Sequence, residues 1–120
     1  MTDGNQVPYS EPNYMQGWRS SYYTESHKKF QLAVREWVDE NVEGQTFQWD
    51  EQKSVPKDIW KKCSDAGILP VVAGVGWNEK WVGHSNVAGG ISPKELDYFH
   101  EQIAVDEICL AGSGGVCTVM

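Results

Sequence analysis

"SPKELDYFHEQIAVDEICLAGSGGV", Ser92 to Val116, is the stretch on which the fold turns. It opens with a helix start signal. Ser92 can accept from the third helical N–H, Pro93 suits the first position, and Glu95 can reach back to Ser92, the reciprocal S-x-x-E capping box. Leu96, Phe99, Ile103 and Leu110 then carry an apolar stripe to Ala111. Helical spacing would turn that stripe inward. His100 and Glu101 fall on or near the opposite face, and adjacent residues on a helix diverge, so a solvated face is expected there rather than an acid–base pair.

The glycine-rich turn that follows lacks the Lys of a phosphate-binding Walker loop. It also follows a helix, whereas a dinucleotide fingerprint follows a strand. The simpler reading is mechanical: Gly112 adopts the left-handed conformation that ends one helix, and Ser113 caps the next. A joint implies a second arm, and "VCTVM" is too short to form one in water. The sequence is therefore expected to continue past Met120.

Working back along the chain, "HKKFQLAVREWVDENV" places Phe30, Val34, Trp37 and Val38 at three- and four-residue intervals. That pattern predicts a helix from about Thr24 to Val42, capped by Thr24 or Ser26 and left through Gly44. "SVPKDIWKKCSDAG" predicts a shorter helix with Ser54 as cap, Pro56 near the first turn and Gly67 past the end. Its inward face is Ile59, Trp60, Cys63 and Ala66, with Cys63 a small buried hydrophobe. "ILPVVAGVGW" reads as a short strand or an extended buried loop, and "NEKWVGHSNVAGG" as an exposed connection. His84 in that connection has no ligand partner at metal spacing, so it reads as solvated. Residues 1–23 form an irregular arm broken by Gly4, Pro8, Pro12 and Gly17. Tyr9, Tyr14, Trp18, Tyr22 and Tyr23 are too many aromatics for a solvated tail. The arm is expected to lie across the domain or a neighbour.

Composition excludes several classes of function. The chain has 120 residues, enough for one core. With 17 acidic and 10 basic side chains its formal charge is -7, which repels a polyanion, so nucleic-acid binding is not expected. Lys94 against Glu95, Asp97, Glu101, Asp106 and Glu107 concentrates negative charge in the last segment, read as a solvated helical face. Cys63, Cys109 and Cys117 cannot all pair within the chain and form no CxxC, so neither a zinc site nor a disulfide framework is expected. That usage fits a reducing, intracellular compartment, cytoplasmic or organellar. No apolar run approaches the ~20 residues of a membrane helix. The start has no signal-peptide or presequence pattern.

The order of these pieces over residues 24–120 resembles the N-terminal helical domain of flavin-dependent acyl-CoA dehydrogenases. "HKKFQLAVREWVDENV", "FQWDEQKSVP", "DIWKKCSDAGILPV" and "VDEICLAGSGGVCT" carry the likeness. The Trp49–Pro56 stretch and the Asp106–Val116 run are the most telling. The arm "PYSEPNYMQGWRSSYYTESH" looks like a leader found in one branch of the family. A departure is "VVAGVGWNEKWVGHSNVAGG", longer than the family's P-E-x-x-G-G loop and without its acidic pair.

The resemblance implies an all-α domain, with residues 1–23 as an arm and 24–120 as the helical unit. It implies a parent enzyme in which a β-barrel-like middle domain and a C-terminal helical bundle bind FAD across the interface of a homo-oligomer. There a glutamate of the C-terminal bundle removes the α-proton of an acyl-CoA and flavin N5 takes the β-hydride. That equipment lies outside these residues, so the 120-residue chain alone is expected to be inactive. No metal is implied. Cys117 and Thr118, on the helix after the glycine turn, match positions that line the acyl-chain cavity, though they could equally serve helix packing. Sister activities on the same fold, such as an oxidase, remain compatible. A different class of reading is a stand-alone helical interaction module, supported by the six Trp and the aromatic arm.

Overall fold

Phe30, Val34, Trp37 and Val38 set the first helix: all four side chains are buried, and they turn one face of Glu25–Asn41 (α1) inward. Thr24, in extended conformation, is its N-cap. The chain leaves through Val42 and Glu43, whose N–H groups both donate to Val38 O at 2.9 Å, and then through Gly44 at φ +76°. The computed structural model describes residues 11–74, 86–111 and 115–116; all helical elements among them are α or 3-10, and none of the described residues forms a strand.

A second helix, Thr46–Gln52 (α2), lacks a sequence signal. Its N-cap Gln45 makes no side-chain cap bond, and Trp49 is its one buried residue. Burying that indole is worth about 3 kcal/mol before entropy is counted. Thr46 Oγ1 also donates to the Ala111 carbonyl at 3.3 Å, tying α2 to the far end of the chain. Tertiary anchoring makes this helix, not propensity.

The third helix is Asp58–Asp65 (α3), starting later than the Ser54 cap predicts. Ser54 is engaged instead in closing α2, its N–H donating to Trp49 O at 3.1 Å. Ile59 and Cys63 are buried as read from the sequence, while Trp60 and Ala66 pack partly buried against the same core. Gly67 ends the helix at φ +77°. The strand or extended loop expected next is instead a one-turn helix, Leu69–Val72 (α4), with Pro70 in its first turn. Proline costs nothing there, because the first-turn N–H groups have no helical acceptor. Residues 75–77 of that stretch lie outside the described residues.

The predicted exposed connection is in part a core element. Residues 78–85, including His84, lie outside the described residues, but Val87 and Ala88 are buried. A 3-10 turn at Ala88–Gly90 packs on α1, and Ala88 N–H donates to Gly67 O at 3.3 Å. The Ser92–Glu95 capping box is present, with Glu95 Oε2 accepting from Ser92 N at 3.1 Å, yet it opens only a 3-10 turn, Pro93–Glu95. The long helix, Tyr98–Leu110 (α5), starts from a second cap, Asp97.

α1 and α5 are the central pair, and they run in the same sense: His27 lies beside His100, and Arg35 beside Glu107. α4 packs on α5 and on α3. From Glu11 onward the arm lies across this pair, as its aromatics suggested. Tyr14 is buried and stacks on Tyr23 with ring centroids 3.9 Å apart and 4° between planes.

Candidate functional site at the seam of the two long helices

The inward stripe of α1 includes His27, Phe30, Gln31, Val34, Arg35 and Val38. On α5 it is His100, Ile103, Ala104, Glu107 and Ile108. Both follow helical spacing, but each carries polar residues at core positions. This corrects two sequence expectations: His100 is fully buried and Glu107 is 2% exposed, whereas both had been placed on solvated faces. Leu110, expected in the apolar stripe, is exposed.

At one end of the seam, two helix N-termini meet. His27 is the third residue of α1, and its Nδ1 accepts from Thr24 N–H at 2.9 Å. His100 holds the same position on α5, where Asp97 N–H reaches its Nδ1 at 3.2 Å. Each histidine thus does the work of the Glu in a capping box. The two rings stack with centroids 4.0 Å apart and 22° between planes. His27 Nε2–H donates to both Asp97 oxygens, at 2.9 and 3.0 Å. Asp97 Oδ1 also accepts from the N–H groups of Phe99 and His100, at 3.0 and 3.2 Å. Burial raises the Asp97 carboxyl, but the His27 and His100 bonds outweigh it and hold the group below the usual carboxylate range. Burial and the neighbouring His27 hold His100 below the usual imidazole value. The positive ends of both helix dipoles act in the same direction.

His27, Asp97 and His100 have the donor types of a metal site, with ligand atoms within 4.8 Å of one another. The hydrogen bonds argue for a clasp instead. A ring nitrogen that accepts from a backbone N–H spends its lone pair, and both Nδ1 atoms do so. His27 Nε2 is the donor to the carboxylate, so its hydrogen occupies the position a metal would take.

Further along the seam lies a buried ionic cluster. Arg35 Nε donates to Glu107 Oε2 at 2.8 Å and its Nη2 to Oε1 at 3.0 Å. Its Nη1 donates to Glu11 Oε1 of the arm at 2.7 Å, and Gln31 Nε2 adds a bond to Glu107 Oε1 at 2.7 Å. Burial works against the Arg35 charge, but the bonds to Glu107 and Glu11 prevail and raise its pKa above the ordinary value. Gln31 Oε1 is buried without a hydrogen-bond partner. Tyr14, beside this cluster, is pushed well above the usual phenol range by burial, with Tyr23, Glu107 and Asp106 adding to it. Such bidentate geometry fixes how α1, α5 and the arm register. The signal was in the sequence: polar residues at His27, Gln31 and Arg35 share the spacing of the apolar stripe.

FAD, implied by the resemblance, would require a cradle for its diphosphate, for which an open helix N-terminus is the ready acceptor. The N-termini of α1 and α5 are filled by the His27–Asp97–His100 clasp, which presents a carboxylate at that point. Neither of these two N-termini offers that cradle. Cys117 and Thr118, the candidate acyl-cavity residues, and the Gly112–Ser113 joint lie outside the described residues. Val116, just before them, is helical and fully buried. Cys63 is an inert core thiol, pushed up to about 12 by burial. Among the described residues no helix is long and apolar enough to cross a membrane.

Residues 24–120 match the family model described as acyl-CoA dehydrogenase, N-terminal domain. The chain is 32% identical over 119 residues to acyl-CoA dehydrogenase apdG of Emericella nidulans, an overlap of 96% of this chain and 27% of that protein. It is 26% identical over 113 residues to acyl-CoA dehydrogenase AFT10-1 of Alternaria alternata, 94% of this chain and 26% of that one. It therefore spans about a quarter of the length of these curated relatives. No solved structure matches it. With the family match extending over both seam helices and the elements between them, the chain belongs to the acyl-CoA dehydrogenase N-terminal domain family.

Proposed function

We propose that this chain supplies the N-terminal helical domain of an FAD-dependent acyl-CoA dehydrogenase, which oxidises the α,β-bond of acyl-CoA thioesters, and that it is inactive alone. The observation that carries the reading is the family match over residues 24–120. FAD and the proton-abstracting glutamate belong to the middle and C-terminal domains of the assembled homo-oligomer. This chain's part is to build a wall of the acyl-chain cavity. The ionic cluster of Arg35, Glu107 and Glu11 supports it, because it locks the α1–α5 pair from which the following helix departs. Cys117 and Thr118 contribute small side chains that leave depth for the acyl tail.

The test is a chimera. These 120 residues replace the matching quarter of the Emericella relative, and the purified product is mixed with acyl-CoA thioesters of graded length. The expected result is a yellow protein whose flavin absorbance bleaches on substrate addition, while the isolated chain carries no flavin and gives no turnover. A folded, flavin-loaded chimera that no thioester bleaches, when the parent relative is bleached, would refute the reading. A second reading, an interaction module without catalysis, is favoured by Trp18, Phe47 and Tyr98, exposed at 68%, 77% and 74%. It predicts a chimera without activity and a partner held through those three side chains.

A further inference from the structure

The arm does more than cover the α1–α5 pair. Between Pro12 and Trp18 it folds into tight turns, with Met15 N–H donating to Pro12 O at 2.9 Å and Trp18 N–H to Asn13 O at 3.2 Å. Two adjoining hollows, of about 250 and 260 Å3, open where this turn meets the start of α1. They share Tyr14, Trp18, Arg19, Ser20 and Tyr23, and the first also reaches Lys28. With five lining residues in common, they form one open depression.

Three features of the hollows point to one ligand chemistry. The first is aromatic: the stacked Tyr14–Tyr23 pair is a rigid base, and the Trp18 indole beside it is 68% exposed although its backbone is held in place. An ordered, uncovered indole gains by stacking on a flat ring. The second is charge. The chain carries -7 overall, yet Arg19 and Lys28 line the hollows and, among the described residues, no carboxylate does. Among the described residues Arg19 makes no ion pair, and Lys28 has only a 3.4 Å contact with exposed Glu25. The third is a donor. Ser20 Oγ accepts from Tyr22 N–H at 3.1 Å and from Tyr23 N–H at 3.4 Å, which leaves its own O–H to donate.

We propose that the arm and the first turn of α1 bind an adenine nucleotide, with the purine stacked on Trp18 and the phosphates held by Arg19, Lys28 and Ser20. The nucleotide is either free or the nucleotide end of coenzyme A; the latter source rests on the acyl-CoA reading above. None of its residues belongs to the glycine turn after α5, which lacks the Lys of a phosphate loop.

The test is calorimetric titration of the 120-residue chain, at low salt, with ADP, coenzyme A, adenosine and inorganic pyrophosphate. ADP should bind, and both adenosine and pyrophosphate should bind at least about tenfold more weakly, since each offers half of the recognition. Trp18→Leu and the double variant Arg19→Ala/Lys28→Ala should each weaken ADP about tenfold without moving the urea midpoint, because these side chains are exposed. Absence of ADP binding overturns the proposal, as does pyrophosphate binding as tightly as ADP or an unchanged affinity in the double variant. Coenzyme A binding without ADP binding also overturns it. ADP binding in a chain whose chimera fails to turn over acyl-CoA would leave this site standing and remove the dehydrogenase reading.

Discussion

Gly67 and Gly44 have nearly the same backbone conformation, φ +77° and +76°, in different surroundings, and replacing each by Ala separates two physical effects. A Cβ at Gly44 would meet nothing within 4 Å. Only the left-handed conformation is penalised there, by about 1 kcal/mol or a little more. At Gly67 the added carbon would lie 2.5 Å from Asn86 O, 2.7 Å from Val87 Cα and 2.8 Å from Ala88 N. All three are backbone atoms, so no rotamer change relieves the overlap. The segment is also pinned, by Asn86 Nδ2 donating to Asp65 O at 2.9 Å and by the burial of Val87. Moving it aside sacrifices much of the Val87 burial, about 1.5–3 kcal/mol, and one or two hydrogen bonds of about 1 kcal/mol each. Gly67→Ala should therefore cost about 3–5 kcal/mol, against about 1 for Gly44→Ala. Urea denaturation followed by circular dichroism measures both. If the two variants fall within about 1 kcal/mol of each other, the close approach of Val87 to α3 is not what Gly67 is for.

Other consequences are open to direct measurement. Arg35→Met leaves Glu107, 2% exposed, as a buried carboxylate without its cation, and should cost about 3–5 kcal/mol. Adding Glu107→Gln should recover part of that loss; no recovery would mean that packing rather than charge was removed. His100 is held below the ordinary imidazole value, so as pH falls the unfolded chain takes up this proton before the native one. Stability should be full above about pH 6.5 and decline below it until native His100 titrates, with a further loss at stronger acid as Asp97 protonates. His100→Asn should flatten the first decline, and an unchanged pH profile would count against the clasp. Cys63, pushed up to about 12, should resist alkylation in the native chain and react at once in urea. Peptide mass spectrometry would settle its labelling.

The sequence by itself determined that the chain is helical and where its main helices lie. Three- and four-residue spacing placed α1 almost to the residue, and Gly44 and Gly67 marked departures that do adopt positive φ. It also singled out Cys63 as core; of the arm's aromatics, Tyr14 is buried and Tyr23 half-buried, while Trp18 and Tyr22 are exposed. Spacing fixes a helical period but not its phase. The stripe through Leu96, Phe99, Ile103 and Leu110, which begins before α5, and the stripe through His100, Ile103, Glu107 and Ile108 fit the same period, and hydrophobicity alone favours the first. The second is the buried one, because each polar member meets a partner on α1: the His27 ring and Ser26 Oγ for His100, Gln31 and Arg35 for Glu107. Those partners lie about seventy residues away in the chain. Likewise α2 exists because Trp49 finds a core and Thr46 finds the Ala111 carbonyl, neither of which is local. Local sequence sets backbone period and helix ends, since those depend on neighbours a turn away. Which face turns inward, and whether a His or Glu can bear being buried, is decided only when a distant side chain satisfies its hydrogen bonds.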